Sequence, residues 1–187
     1  MIERTLVLIK PDGVYRSLVG RIITEFENAG LKIVAMKLVK PTKELAMKHY
    51  PADEGWYNAL WEKTKKSFEE QGKQFNETPQ QTGDRVRGYL VDYIAGKPVV
   101  AMVVEGNEAI QNVRKLAGAT SPSKADPSTI RGKYTTDSYD LADYKGRAVK
   151  NIVHASDGKD TAEREIGTWF DESEIVEYKR ADEDVMY

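Results

Sequence analysis

The sequence predicts an α+β protein of the ferredoxin-like kind: an antiparallel sheet covered by helices, in one domain spanning residues 1–187, with an inserted helical segment. Two observations lead there. Four short apolar runs, at residues 5–9, 31–39, 99–104 and 152–154, alternate with stretches of 3.6-residue apolar period, giving β-α-β and α-β units without an internal repeat. The chain of 187 residues also lies in the range of a single domain and is long enough to bury a real core.

Taken in order, Thr5-Leu6-Val7-Leu8-Ile9 is nearly all apolar, as expected of an interior strand covered on both faces. Lys10-Pro11-Asp12-Gly13 reads as a turn that leaves Lys10 at the strand's end, a place for a solvated ammonium or for one that holds a phosphate. Ser17 is the expected cap of a helix with Leu18, Val19, Ile22, Ile23 and Phe26 inward, stopped at Gly30. After the second strand, Thr42 opens a short helix that ends at His49-Tyr50-Pro51, where proline forbids continuation. Residues 51–82 read as an insertion: a helix with Trp56, Leu60, Thr64 and Phe68 at i+4 spacing, docked on the body, then a loop from Glu69 to Thr82. A helix follows from Gly83 (Val86, Leu90, Val91, Ile94), then a β-branched strand, then a helix capped by Asn107 with Ile110, Val113 and Leu116 inward and Arg114 beside them. Residues 118–133, rich in Gly, Pro, Ser and Thr, form a long loop of the kind that often carries function; Thr120 and Arg131 within it offer a hydroxyl and a guanidinium to phosphate oxygens, or are plain surface positions. A second extended loop, residues 134–150, leads to the last strand, and residues 181–187 form an acidic tail.

Composition narrows the function classes. Twenty-eight basic against thirty acidic residues give a net charge of −2, which favours neither nucleic acid nor an anionic membrane and points to a small partner. Absence of cysteine excludes disulfides and thiolate metal sites, and no apolar run approaches the roughly 20 residues that span a bilayer. The first residues carry charges too early for a secretory signal, so a soluble cytoplasmic protein is expected. Neither a Walker A loop nor a GxGxxG motif is present, so any nucleotide must be held by other means.

The stretch around which the chain is organised is Asn151–Phe170, NIVHASDGKDTAEREIGTWF. Ile152 and Val153 carry His154 to a strand end; a polar turn follows, then a helix whose Ala162, Ile166, Trp169 and Phe170 share one face. Glu165 lies on the rim of that face and can reach back across the turn. An imidazole, the Ser156 hydroxyl and the Glu165 carboxylate thus come within reach of one another, an arrangement suited to a reactive histidine beside an anion. Each of the three alone has a structural reading: a half-buried histidine bonded to a carbonyl, a turn serine, a solvated helix glutamate. Their joint placement favours chemistry.

TLVLIKPDGV near the start, HY at 49–50, STIRG at 128–132, and NIVHASD followed by AEREI resemble, in the same order, the motifs of nucleoside diphosphate kinases. That resemblance implies transfer of the terminal phosphoryl group of a nucleoside triphosphate, usually ATP, to a nucleoside diphosphate through a phosphohistidine, donor and acceptor using one site in turn. It assigns the nucleophile to His154 and its orientation to Glu165 and Ser156. Around the phosphates it places Lys10, Tyr50, Arg114, Thr120 and Arg131, and at the ribose Asn151. It further implies Mg2+ held mainly by the nucleotide's phosphates, with no dedicated protein ligands, and a homo-oligomer, either a hexamer or a tetramer of dimers. Three departures stand out. Ala155 replaces the usual glycine after the histidine; Arg87 falls where the family has a base-stacking phenylalanine, leaving Val86, Tyr89 or Trp56 as substitutes; and residues 51–82 and 134–150 exceed the typical chain.

Overall fold

The computed structural model describes residues 1–70 and 72–186. Strands β1 (Ile2–Ile9), β2 (Lys32–Val39), β3 (Val99–Asn107) and β4 (Val153–Ala155) form one antiparallel sheet in the order β2-β3-β1-β4, the expected ferredoxin-like order. Helices α1 (Pro11–Tyr15), α2 (Val19–Asn28), α3 (Lys43–His49), α4 (Glu54–Glu70), α5 (Pro79–Ile94) and α6 (Ala109–Ala117) precede β4, as do α7 (Ile130–Tyr134) and α8 (Tyr139–Tyr144). Helix α9 (Lys159–Trp169) follows it, and α10 (Glu183–Met186) ends the described chain.

Both faces of the sheet are covered, which is why β1 is apolar without alternation. Val7 and Ile9 pack with Ile22 and Phe26 of α2 and Val113 of α6; Leu6 and Leu8 face the other way, against Ala46 of α3, Ile94 of α5 and Trp169 of α9. Leu6, Val7, Leu8 and Ile9 are all fully buried, each side chain contributing roughly 1.5–3 kcal/mol by leaving water. A one-residue slip would exchange the two sets, so the register is firmly specified. That register sets Leu8 opposite His154 and leaves Lys10 just past the end of the pairing, beside the β4 approach.

Several local expectations are revised. Lys10-Pro11-Asp12-Gly13 is the entrance to α1, with Pro11 in the first turn, where its missing N–H costs nothing. Ser17 does not cap α2; it adopts φ 55° and Leu18 holds the cap position. Helix α5 begins at Pro79 rather than Gly83, because Thr78 and Gln81 form a reciprocal capping box. Asn107 ends β3 instead of capping α6; Glu108, at φ 47°, is the residue before that helix. Residues 118–133 and 134–150 are not plain loops, since α7 is capped by Thr129 and α8 by Ser138.

The i+4 stripe of α4 is also redirected. Tyr57 and Trp61 anchor the helix to α5, the Tyr57 ring lying so close to Gly83 that a Cβ there would be 2.4 Å away, with Trp61 donating to the Glu77 carbonyl. Trp56, Leu60 and Thr64 instead line a cleft. Tyr57 and Trp61, four residues apart, share one helix face, and the contact with Gly83 puts that face inward. The acidic tail folds back on its own chain: Glu183 pairs with Lys32 at 2.9 Å, and Arg180 donates to the Gly30 and Leu31 carbonyls. Tyr187 lies outside the described residues.

Candidate active site

His154 is delivered by a strained turn. Val153 N donates to the Asn151 carbonyl at 2.7 Å across Ile152, whose φ is 65°, a rare γ-turn for a buried β-branched residue and one that costs on the order of 1–3 kcal/mol. Two bonds hold it: Ile152 N donates to Asp12 Oδ2 at 3.1 Å, and Lys10 N donates to the Ile152 carbonyl at 2.7 Å. Gly13 lies beneath, where a Cβ would come within 2.9 Å of Ile152 Cγ2 and 2.8 Å of Ile9 Cγ2. The PDG segment after β1 therefore braces the turn before the histidine, a role that the sequence reading did not assign to Asp12.

Glu165 is buried rather than on a rim, and its Oε2 accepts from both His154 Nε2 and Ser156 Oγ, each at 2.7 Å. With Nε2 engaged, Nδ1 is the nitrogen of His154 left for the cleft. Glu165 Oε1 lies 3.6 Å from Arg164 Nη2 and 3.7 Å from His49 Nδ1. His49, read from the sequence only as a helix-end residue, is buried against the ring of His154. No local pattern marks it, because its position depends on α3 meeting α9.

Beside the histidine are two buried cations with no ion-pair partner among the described residues. Arg131 donates to three carbonyls, Gly118 at 2.6 Å, Val153 at 2.8 Å and Asn151 at 3.3 Å. Lys10 Nζ donates to Asn151 Oδ1 at 2.8 Å, while Asn151 Nδ2 donates to the Thr120 carbonyl at 2.9 Å. Burial lowers Lys10 from 10.5 to about 7, with the Arg131 charge acting the same way, and lowers Arg131 to about 10. Uncompensated charge in such surroundings is costly unless an anion arrives. Tyr50 is buried with its hydroxyl unbonded, and burial raises that phenol.

These groups form the floor of a cleft of about 660 Å³. Arg114, in the last turn of α6, and Thr120 are exposed on its rim. Trp56, Leu60, Val86 and Tyr89, all partly exposed, make the outer wall, and Ala148 and Val149 also line the cleft. Arg87 is not in that wall: its guanidinium donates to the Tyr50 and Met47 carbonyls and ties α5 to the end of α3. Arg147, which the sequence did not single out, also lines the cleft while bonded to Asp137. Ser156 lies behind the histidine, not in the cleft lining.

Among the described residues, the one cluster with metal-ligand character is His49, His154 and Glu165. It is nitrogen-rich, its carboxylate is committed to His154 and Ser156, and Lys10 and Arg131 stand nearby; Mg2+ prefers oxygen ligands and octahedral geometry. The residues present therefore suit a metal that arrives on a phosphate chain, with the exposed Asp157 as the adjacent carboxylate in the cleft.

Comparison with known proteins identifies the family. The family model for nucleoside diphosphate kinase matches residues 3–70 and 63–175. The chain belongs to the nucleoside diphosphate kinase family. A nucleoside diphosphate kinase of Pyrobaculum aerophilum is 48% identical over 181 residues, covering 94% of this chain and 99% of the relative. That of Pyrococcus furiosus is 46% identical, covering 96% and 90%. Among solved structures, an NDP kinase from Pyrobaculum aerophilum superposes with a TM-score of 0.90 at 46% identity, covering 95% of this chain and all of that one. A transition state mimic of nucleoside-diphosphate kinase from Borrelia burgdorferi with bound vanadate and ADP gives a TM-score of 0.80 at 38% identity, covering 97% and 95%. As a member of this family the chain is a kinase, a phosphotransferase.

Proposed function

We infer that this kinase moves the γ-phosphoryl group of a nucleoside triphosphate, ATP in the usual case, to a nucleoside diphosphate through a phosphohistidine at His154. The observation that carries the reading is the His154–Glu165 pair at 2.7 Å, set beside two buried, unpaired cations at the floor of a cleft.

The Nδ1 lone pair of His154 attacks the γ-phosphorus as the bond to the bridging oxygen breaks, and the nucleoside diphosphate leaves with that electron pair. The Nε2 proton stays on the ring, whose new positive charge is balanced by Glu165; Ser156 fixes the carboxylate from behind. The second half runs in reverse: a terminal oxygen of the acceptor diphosphate attacks the phosphorus, the P–N bond breaks and the ring is regenerated. Because donor and acceptor occupy one cleft in turn, the kinetics are ping-pong.

Lys10, Arg131, Arg114 and Thr120 face the phosphate oxygens, whose negative charge offsets the cost of the buried cations, and the free Tyr50 hydroxyl supplies a further donor. Mg2+ carried on the nucleotide's phosphates would offset their charge, with Asp157 the neighbouring carboxylate in the cleft. Asn151 orients Lys10; its contact to the ribose requires exchanging one of the two bonds its amide makes in the free cleft. The base lies between Trp56, Leu60 or Tyr89 and the pair Ala148 and Val149, held by apolar contact, so many nucleotides are accepted. The edge strand β2 leaves Met36 and Leu38 exposed, which supports a homo-oligomer, as a hexamer or a tetramer of dimers. No described helix is long and apolar enough to cross a membrane.

Incubation with γ-labelled ATP and Mg2+, without acceptor, tests the reading. Acid-labile, alkali-stable label appears on the wild-type protein, is absent from His154→Ala and is discharged by GDP. No label on folded wild-type protein would sink it.

A further inference from the structure

His49 plays no part in the scheme above, yet three parts of the site meet on it. It is the last residue of α3 and is buried. Its ring stands edge-on to that of His154, with centroids 4.4 Å apart and planes at 83°. Trp169 Nε1 donates to its Nδ1 at 3.3 Å, and the same Nδ1 lies 3.7 Å from Glu165 Oε1. Glu165 and Trp169 are four residues apart on α9, so one helix face presents both to the one imidazole.

We propose that His49 is a positioning residue for phosphoryl transfer: it fixes the plane of the His154 ring and keeps the Glu165 carboxylate committed to His154 Nε2. The proposal rests on the phosphohistidine reading. A single hydrogen bond from Nε2 to Glu165 fixes one point of the His154 ring and leaves it free to swing about that bond. The perpendicular contact with His49 removes that freedom, and in-line attack by Nδ1 depends on the angle so fixed.

The tautomer of His49 matters as much as its bulk. Because Trp169 donates to Nδ1, the ring proton resides on Nε2, away from Glu165. Burial holds this imidazole well below its ordinary range, and the charges of His154, Lys10 and Arg164 act in the same direction, so it stays neutral. A proton on Nδ1 would instead give Glu165 Oε1 a competing partner and loosen its bond to His154. Trp169 thus acts through His49 on the nucleophile, two side chains away.

Single-turnover labelling of His154 by γ-labelled ATP, at saturating nucleotide, tests this with wild type, His49→Phe, His49→Gln and Trp169→Phe; ADP affinity is measured in parallel. His49→Phe keeps an aromatic edge but orphans the Trp169 N–H, and slows labelling roughly 10- to 100-fold while ADP affinity changes less than about twofold. His49→Gln, whose amide oxygen can accept from Trp169 but which lacks the aromatic edge, recovers only part of the rate. Trp169→Phe slows labelling several-fold, and it decides the matter if His49→Phe does not fold. Wild-type labelling rates in the folded variants, or rates that fall only in step with ADP affinity, overturn the proposal. A wild type that takes no label instead removes the phosphohistidine reading, which separates the two failures.

Discussion

At the inner end of the cleft, Lys10, Arg131, Asn151, His49, Ser156 and Glu165 are all buried, and direct bonds of 2.6–3.3 Å tie most of them to the ends of β1 and β4. Along the outer wall, Trp56, Leu60, Val86 and Tyr89 are partly exposed, and Arg85 pairs with Glu77 at 2.8 Å while Asp143 lies 4.0 Å from the same guanidinium. The inner end grows out of the sheet and inherits its rigidity. The outer wall comes from α4, the middle of α5 and α8, anchored chiefly where Tyr57 meets Gly83. Under the proposed mechanism, tight geometry serves the in-line meeting of phosphorus and nitrogen, and looser apolar contact serves the base.

The sharpest way to break this contrast is at Arg131. Arg131→Met strips the donors from three carbonyls and removes a phosphate contact, so it costs roughly 3 kcal/mol in denaturant unfolding and about 100-fold or more in kcat. Loss of activity without loss of stability would show that the residue is not the brace described here.

Lys10 carries the next largest effect, and its sign follows from the lowered pKa. Between about 7 and 10.5 the folded chain holds one proton fewer than the unfolded one, so this group makes stability rise with pH across that window. Melting temperatures from pH 7 to 9.5 rise more steeply for the wild type than for Lys10→Met. Bound ADP, by restoring the charge on Lys10, flattens the difference. Parallel curves with and without ADP contradict an unpaired ammonium in the floor.

The smallest effect belongs to the outer wall. Trp56→Ala raises KM a few-fold for all nucleoside diphosphates and leaves kcat within about twofold, since uniform binding is lost and not transition-state contact. A large drop in kcat, or a change confined to one base, would place Trp56 closer to the chemistry than its exposure allows.

How far the sequence could be read differs between these regions for the same reason. NIVHASD and AEREI lie within one strand-turn-helix unit, so the spacing that brings Glu165 and Ser156 to His154 is local. The cations and polar side chains of the cleft were legible as residue types, but the sequence did not show that Arg131 spends its donors on three carbonyls or that Asn151 bridges Lys10 and Thr120. The capping box at Thr78 and Gln81 is local and readable in the sequence, and it sets the start of α5 at Pro79 rather than Gly83. The stripe on α4 was seen, but its direction was not, because a helix of mixed character offers more than one face to pack and Gly83 settles the choice from 27 positions after Trp56.

By itself the sequence determined the fold class, through two-sided apolar strands alternating with amphipathic helices, and through their spacing it brought the candidate histidine and its carboxylate together. Only the tertiary structure decided what surrounds them: the braced γ-turn under Asp12 and Gly13, the placement of His49 between His154 and Trp169, and the turning of α4 toward the cleft. The physical reason is range. Periodicity and spacing report contacts within about two turns of helix or one turn between elements. The burial of a side chain against residues a hundred positions away is set by how the whole sheet and its helices close.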